Sequence, residues 1–375
     1  MIPADSAAGP AIGSMNSDAS HSLARAIRAR ALALGFERAG FCDAVPPEEV
    51  AHFERWLAAG MHGQMSWMQK GRERRLDPAL VLAGVKSIVV VAMSYARPGS
   101  DAPASATPDG ISRGVVSRYA RGDDYHDIVG DRLLELEEFV EQVAPGHRAV
   151  AYVDTGPILE RMWAARAGIG WIGKNALVLN KEMGSLFFLG VILTTLQLPP
   201  DVAATDQCGA CTLCIEACPT AAIVEPRLVD SRRCISYHTI ELRDAIPEEY
   251  REPIGPRVFG CDDCQDACPW NQHASDVPSR GGEAFPSRDG SAFPSLLELL
   301  VMSREQYQER FRGSAIKRAT YRGLRRNAAV ALGNAASRNE TIEALEKVAE
   351  DPTDDPLVRE HAGWAAAHQR AGITR

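Results

Sequence analysis

Apolar residues recur at helical spacing through HSLARAIRARALALGFERAGF and EEVAHFERWLAAG, which predicts helices within residues 22–60, with Gly35 and Gly60 as stops. In KSIVVVAMSYA the apolar run is unbroken, the pattern of a buried strand. RPGSDAPASATPDGIS follows, and its Pro, Ala, Ser and Gly content predicts a mobile surface loop. The pattern is then helical in HDIVGDRLLELEEFVEQV, extended in AVAYVDT, helical in ILERMWAARAGIG, and extended around NALVLN and SLFFLGVILTT. Helices alternating with strands predict an α/β or α+β layered domain to about residue 200, closed by the Pro-rich LQLPPDVAATDQ. After a cysteine-rich stretch the chain turns helical. There RRNAAVALGN at 325–334 aligns with VREHAGWAAAH at 358–368, Arg326 over Arg359, as a short HEAT-like repeat or, with two copies only, a plain helical cap.

The 375 residues, 45% hydrophobic and 24% charged, suffice for two or three domains with cores of their own. The longest apolar runs reach about half of the roughly 20 residues that a membrane-crossing helix needs. The opening MIPADSAAGPAIGSMNSDASHS has no basic start, apolar centre or twin-arginine pair. We therefore expect a disordered leader over 1–21, Met15 as an alternative start, and a cytoplasmic protein. A net charge of -8 argues against a wholesale nucleic-acid coat, yet Arg304 to Arg338 hold nine Lys or Arg against two acidic residues.

Eight of the nine cysteines lie between 208 and 268 at ligand spacing, which favours thiolate ligation over disulfides. Cys42 is the exception and reads as a buried, inert thiol on or beside a strand. CGACTLCIEACPTAA is a complete C-x2-C-x2-C-x3-C-P run, whereas GCDDCQDACPWN lacks its first cysteine. In two-cluster ferredoxins the fourth cysteine of each run ligates the other cluster. One cluster then takes Cys208, Cys211, Cys214 and Cys268, and the other takes Cys218, Cys261 and Cys264. Cys234 in SRRCISY supplies its missing ligand, so residues 235–260 become an insertion that bulges from the ferredoxin core, in place to touch the electron acceptor. Paired structural zinc sites do not require both C-P endings. Such a module passes single electrons, so the chemistry belongs to the N-terminal domain.

That domain lacks a dinucleotide fingerprint, since GIGWIG at 168–173 follows a helix and no ribose-binding acid accompanies it. DYHDIVG at 124–130 formally matches a cobalt-histidine loop, but His126 reads equally well as a helix N-terminal residue with Asp123 or Asp124 as cap. Asp154 in VDTGPILERMWAARAGIGWIGKN ends a predicted strand, where ligands of α/β sheets bind, or else caps the next helix. Arg161 returns to the same face and could hold a phosphate or carboxylate.

Taken together, RYARGDDYHD, YVDTGP with its continuation to GIGWIGKN, CGACTLCIEACPT, RCISY and GCDDCQDACPWN resemble the epoxyqueuosine reductase family, cobalamin- and iron–sulfur-dependent enzymes that modify tRNA. The resemblance runs from about residue 22 to the C-terminal repeats. Only the leader and the loop 97–112 depart from it. It implies an α+β protein with a cobalamin- and substrate-binding α/β-layered domain at 22–205, a ferredoxin-like domain with two [4Fe-4S] clusters at 206–275, and a HEAT-like tRNA-binding domain at 276–375. The implied reaction reduces epoxyqueuosine to queuosine at the wobble position, with Asp154 as proton donor. Tyr125, His126 and Arg161 are implied to line the substrate pocket. Arg75, Ser117, Asp154, Asn175, Ser236 and the stretch Cys261, Asp262, Asp263, Cys264 are implied to face cobalamin. For Asp154 to act as an acid at neutral pH, burial must raise it well above about 3.9.

Lys317, Arg318, Arg322, Arg325 and Arg326 then become candidate tRNA phosphate contacts, against the plainer alternative of a solvated helix face. The expected partners are tRNA carrying epoxyqueuosine and an external low-potential electron donor, with no membrane and a monomeric chain. Two other classes stay open, a reductive dehalogenase and a pure electron-transfer protein. A tRNA-binding assay discriminates against the first, and an absorption spectrum with added cobalamin against the second.

Overall fold

The unbroken apolar run at 87–94 becomes the strand around which the N-terminal domain is built. The computed structural model describes residues 17–46, 50–97, 111–274 and 282–373; Met15, the leader before Ser17 and most of the loop 97–112 lie outside them. Four strands, β1 (Arg38–Asp43), β2 (Ser87–Ser94), β3 (Ala149–Tyr152) and β4 (Phe187–Thr194), form a sheet in the order β1-β2-β4-β3, with every neighbouring pair antiparallel. The protein is therefore mixed α+β, with its main sheet antiparallel throughout.

Every residue of β2 is buried because both faces of the sheet are covered. Val89, Val91 and Met93 pack with Ile27, Ala31, Leu133 and Leu136 from α1 (Ser17–Ala33) and α2 (Tyr125–Val143). Ile88, Val90 and Ala92 face Trp163 and Ala164 of α3 (Glu160–Arg166) on the other side. Alternation of side chains along a strand thus joins two apolar layers through one segment. The first helix begins at Ser17, inside the expected leader, and its end is followed by Gly35 at φ 91°. After it the chain enters β1, which helical spacing had concealed. Cys42 lies on that strand, 3% exposed, with burial pushing its thiol up to about 12.

The insertion between Cys234 and Cys261 holds a π-helical turn (Tyr237–Glu241), a helix (Glu248–Ile254) and a short strand (Arg257–Phe259) that pairs in parallel with Val115–Val116. It leaves the ferredoxin core, but its outer side is occupied by a C-terminal helix, α4 (Tyr321–Gly333); α6 (Pro356–Ile373) packs against α4, and α5 (Asn339–Glu350) packs against α6. From Gly323 to Gly333 every residue of α4 is buried.

That burial corrects two expectations. Arg326 is 1% exposed and donates to the carbonyls of His238, Leu242 and Asp244, while Asn327 donates to those of Thr239 and Val258. Arg325 is 6% exposed and binds Leu300 O and both carboxylate oxygens of Asp354. Neither guanidinium can reach an RNA backbone. Lys317, Arg318 and Arg322 remain at the surface. The aligned Arg359 makes a different contact from Arg326, to Ala349 O. No helix among the described residues is long and apolar enough to cross a membrane.

Candidate active site

Past the end of β3, Asp154 takes a left-handed backbone at φ 55°, a conformation that a side-chain-bearing residue holds only when its surroundings compel it. It lies six residues before α3, whose N-cap is Leu159 with no side-chain cap. The helix-cap alternative for Asp154 therefore falls. Its N–H donates to Glu160 Oε1 at 2.7 Å.

The start of α2 points two side chains at the Asp154 carboxylate. Tyr125 donates its hydroxyl to Oδ2 at 2.9 Å, and His126 Nε2 stands 3.5 Å from the same oxygen. Asp124 caps α2 through the His126 N–H and also engages His126 Nδ1 at 2.7 Å, which fixes the ring between two carboxylates. The Tyr125 ring lies flat on Phe188 of β4, centroids 4.3 Å apart. Asp123 pairs with Arg288 and has no part in the cap.

These contacts reverse the expected electrostatics. The Asp154 side chain is 63% exposed, and the hydrogen bond with His126, helped by that with Tyr125, holds it below the ordinary carboxylate range. Burial opposes charge on His126, but the bonds to Asp124 and Asp154 outweigh it and push the imidazole up to about 9. At neutral pH the proton therefore sits on His126 and the negative charge on Asp154. Nearby, Glu160 is pushed up to about 8, by burial first and then by the Asp154 charge.

Arg161 donates to Ala176 O at 2.9 Å and lies within electrostatic range of Asp154. Arg75 is 9% exposed and feels both Glu160 and Asp154; among the described residues its guanidinium makes one long hydrogen bond, 3.4 Å to Trp67 O. Ser117 donates to Asp262, which also accepts the Arg118 N–H. Asp263 is held by Arg257 through two nitrogens. Both carboxylates are thus engaged within the protein, and what this stretch can offer a ligand is its backbone. Gly260, at φ 72°, lets that backbone approach, since a Cβ there would stand 2.5 Å from Ser117 Cβ. Asn175 reaches Cys264 O at 3.4 Å and so joins the α3 side of the domain to the cysteine module. Ser236 is the residue before the π-helical turn of the insertion.

The thiols act on one another in two overlapping sets. Burial raises Cys214, and the charges of Cys268, Cys208 and Cys211 follow. After burial, Cys264 is raised by Cys234, Cys214 and Cys218, Cys261 feels Cys234, and Cys234 feels Cys218. Among the described residues no three such groups close on a single metal ion; in a four-iron cluster each thiolate binds its own iron. Trp171 Nε1 lies 3.4 Å from Cys208 Sγ, and Lys174 donates to the carbonyls of Gly209 and Cys211.

Sequence reading overlooked Glu160, although its place beside Arg161 in the first turn of α3 was a signal. It also overlooked Phe188, hidden within an apolar strand, and Glu241, which accepts two nitrogens of Arg318.

Fold and site together define an iron–sulfur oxidoreductase. The family model described as 4Fe-4S double cluster binding domain matches residues 207–271, and the model described as epoxyqueuosine reductase QueG, DUF1730, matches residues 75–155. Epoxyqueuosine reductases of Pseudomonas aeruginosa and Escherichia coli are 44% and 42% identical to this chain, each over 92% of it and over 93% and 89% of their own lengths. A solved epoxyqueuosine reductase with an epoxyqueuosine-modified tRNA-Tyr stem loop superposes with a TM-score of 0.84 at 32% identity, covering 93% of this chain and 90% of that one. Another, from Bacillus subtilis, superposes at 0.81 with 31% identity over the same shares, and in it the catalytic aspartate loop is swung out of the active site. The chain belongs to the epoxyqueuosine reductase family.

Proposed function

We propose that this enzyme reduces epoxyqueuosine to queuosine at the wobble position of tRNA, with Asp154 delivering the proton that the epoxide oxygen takes up. The convergence of Tyr125 and His126 on one oxygen of Asp154 carries this reading. Opening the epoxide and removing its oxygen as water takes two electrons and two protons. The low-potential electrons come from outside the chain through the two cysteine groups, whose eight thiols match two [4Fe-4S] clusters in number and order.

In this reading cobalamin would bind between Asp154 and the second cysteine group. Arg75, with five N–H donors and one long hydrogen bond, has capacity to hold a polar corrinoid substituent. Ser117, Asn175, Ser236 and the Cys261–Cys264 backbone would complete its surroundings. When bound, cobalamin supplies the reducing cobalt centre.

The protein's own part is to hold and move a proton. His126 stores it, Asp154 Oδ2 stands within reach of both His126 and Tyr125, and Arg161 at the rim orients the nucleoside. Turnover should then stay level through neutral pH and fall as pH rises through about 9, where His126 loses its proton. A rate that instead falls below pH 7 and stays level above 9 would remove His126 from that role. Formation of queuosine in epoxyqueuosine-containing tRNA, read by mass spectrometry with a low-potential reductant, tests the function itself.

The C-terminal helices, in our reading a HEAT-like support for tRNA, present Lys317, Arg318 and Arg322. Arg318 is held by Glu241 and lies over the Trp67 ring, 4.6 Å from its centroid. Lys317→Glu and Arg322→Glu should each weaken tRNA binding and lower its salt slope by roughly 0.7–0.9. An unchanged slope in both would take these residues off the RNA path.

A further inference from the structure

We propose that Glu160 is the positioning residue that latches the Asp154 loop, holding the Asp154 backbone so that its carboxylate stays on Tyr125 and His126. The inference rests on the proposed role of Asp154 and adds the means by which it is kept in place.

The loop from Val153 to Leu159 is pinned near its ends by Val153 and Ile158, buried in the two apolar layers, and what sets the exposed Asp154 between them is its own bonding. Among the described residues its internal backbone bonding is Thr155 N–H to Val153 O, and Asp154 stands in a left-handed conformation that needs outside support. Its own N–H finds that support at Glu160 Oε1, 2.7 Å away across the turn. Gly156 is packed so closely that a Cβ would stand 2.4 Å from the Tyr152 ring, so the turn closes tightly over the end of β3. Glu160 itself sits in the first turn of α3, anchored by Trp163 and Ala164 in the layer beneath the sheet. One end of the latch is thus rigid and the other is loop. The Bacillus subtilis relative, whose catalytic loop is swung out, shows that a loop of this kind can leave its site.

The charges around Glu160 fit a neutral latch. Asp154 adds negative charge, Arg161 and His126 positive charge, and Arg75 and Tyr125 also lie within electrostatic range of Glu160. Burial and the Asp154 carboxylate push Glu160 up to about 8, so near neutrality its carboxyl is protonated. It accepts the Asp154 N–H through an oxygen without repelling the neighbouring carboxylate. Glutamine has the shape and the acceptor oxygen of that neutral form.

The test compares Glu160→Gln and Glu160→Ala in the full protein, checked for unchanged iron content. Amide hydrogen exchange over 153–159, without substrate, reports the latch directly. In the alanine variant exchange should rise about tenfold or more, and kcat should fall on the order of 10- to 100-fold with KM nearly constant, because the reacting group is misplaced and not removed. The glutamine variant should stay within about threefold of wild type in both readouts. Unchanged exchange in the alanine variant overturns the latch. So does a glutamine variant with a closed loop and turnover as low as alanine's, which would make Glu160 a proton donor. If the alanine variant opens the loop but wild type forms no queuosine, the latch stands and the proposed reaction falls.

Discussion

Asp154→Asn should abolish epoxide reduction while both clusters and cobalamin still bind. Asparagine keeps the size of the side chain and an oxygen that can accept from Tyr125. It cannot carry a proton to the epoxide oxygen, and general acid catalysis is worth about 100- to 10,000-fold. It also removes the charge that, with Asp124, sustains the proton on His126. The loss is therefore double, of the carrier and of part of the reservoir's affinity. The backbone bond to Glu160 survives, so the loop should keep its place. Queuosine formation, measured beside cobalamin content and cluster absorbance, decides the matter. Full turnover in this variant would move the search for the acid to Tyr125 or His126.

Cys234→Ala should cost one cluster and leave the other. The charges of Cys268, Cys208 and Cys211 act on Cys214, while Cys234 interacts with Cys218, Cys261 and Cys264, as the proposed ligand sets require. Iron should drop from about eight to about four per chain, two clusters of four irons becoming one. Queuosine formation should stop as well, since the lost cluster lies on the side that Asn175 joins to Asp154's domain. About eight irons in the variant would refute the assignment.

Much of this arrangement can be read in the chain. The β2 run, the helix over 125–143 and the Asp154 turn at a strand end follow from periodicity and turn chemistry, and the cysteine spacing groups the thiols. The antiparallel sheet does not follow, because alternating helices and strands suit either direction and β1 hides in GFERAGFCDA, which continues the helical spacing before it. The direction of the Asp154 shift was also out of reach, since it depends on a histidine 28 positions earlier in the chain. Arg325 and Arg326 misled for a related reason. A cluster of cations ordinarily marks a solvated face, and only the carbonyls of His238, Leu242 and Asp244, more than 80 positions away, explain why Arg326 is inside.

Those same carbonyls make the shape of an early segment depend on a helix made later. The segment between Cys234 and Cys261 is held by Arg326 and Asn327 from a helix made some 60 or more residues later. Contacts that close so long a loop form late, after the entropy of closure has been overcome. The first group needs nothing beyond Cys268, whereas the second acquires a fixed shape only when the last helices emerge and dock. If each cysteine set takes a cluster, the one beside the substrate domain is expected to mature only once the last helices are made, a delay that iron loading of chains truncated before Tyr321 would reveal.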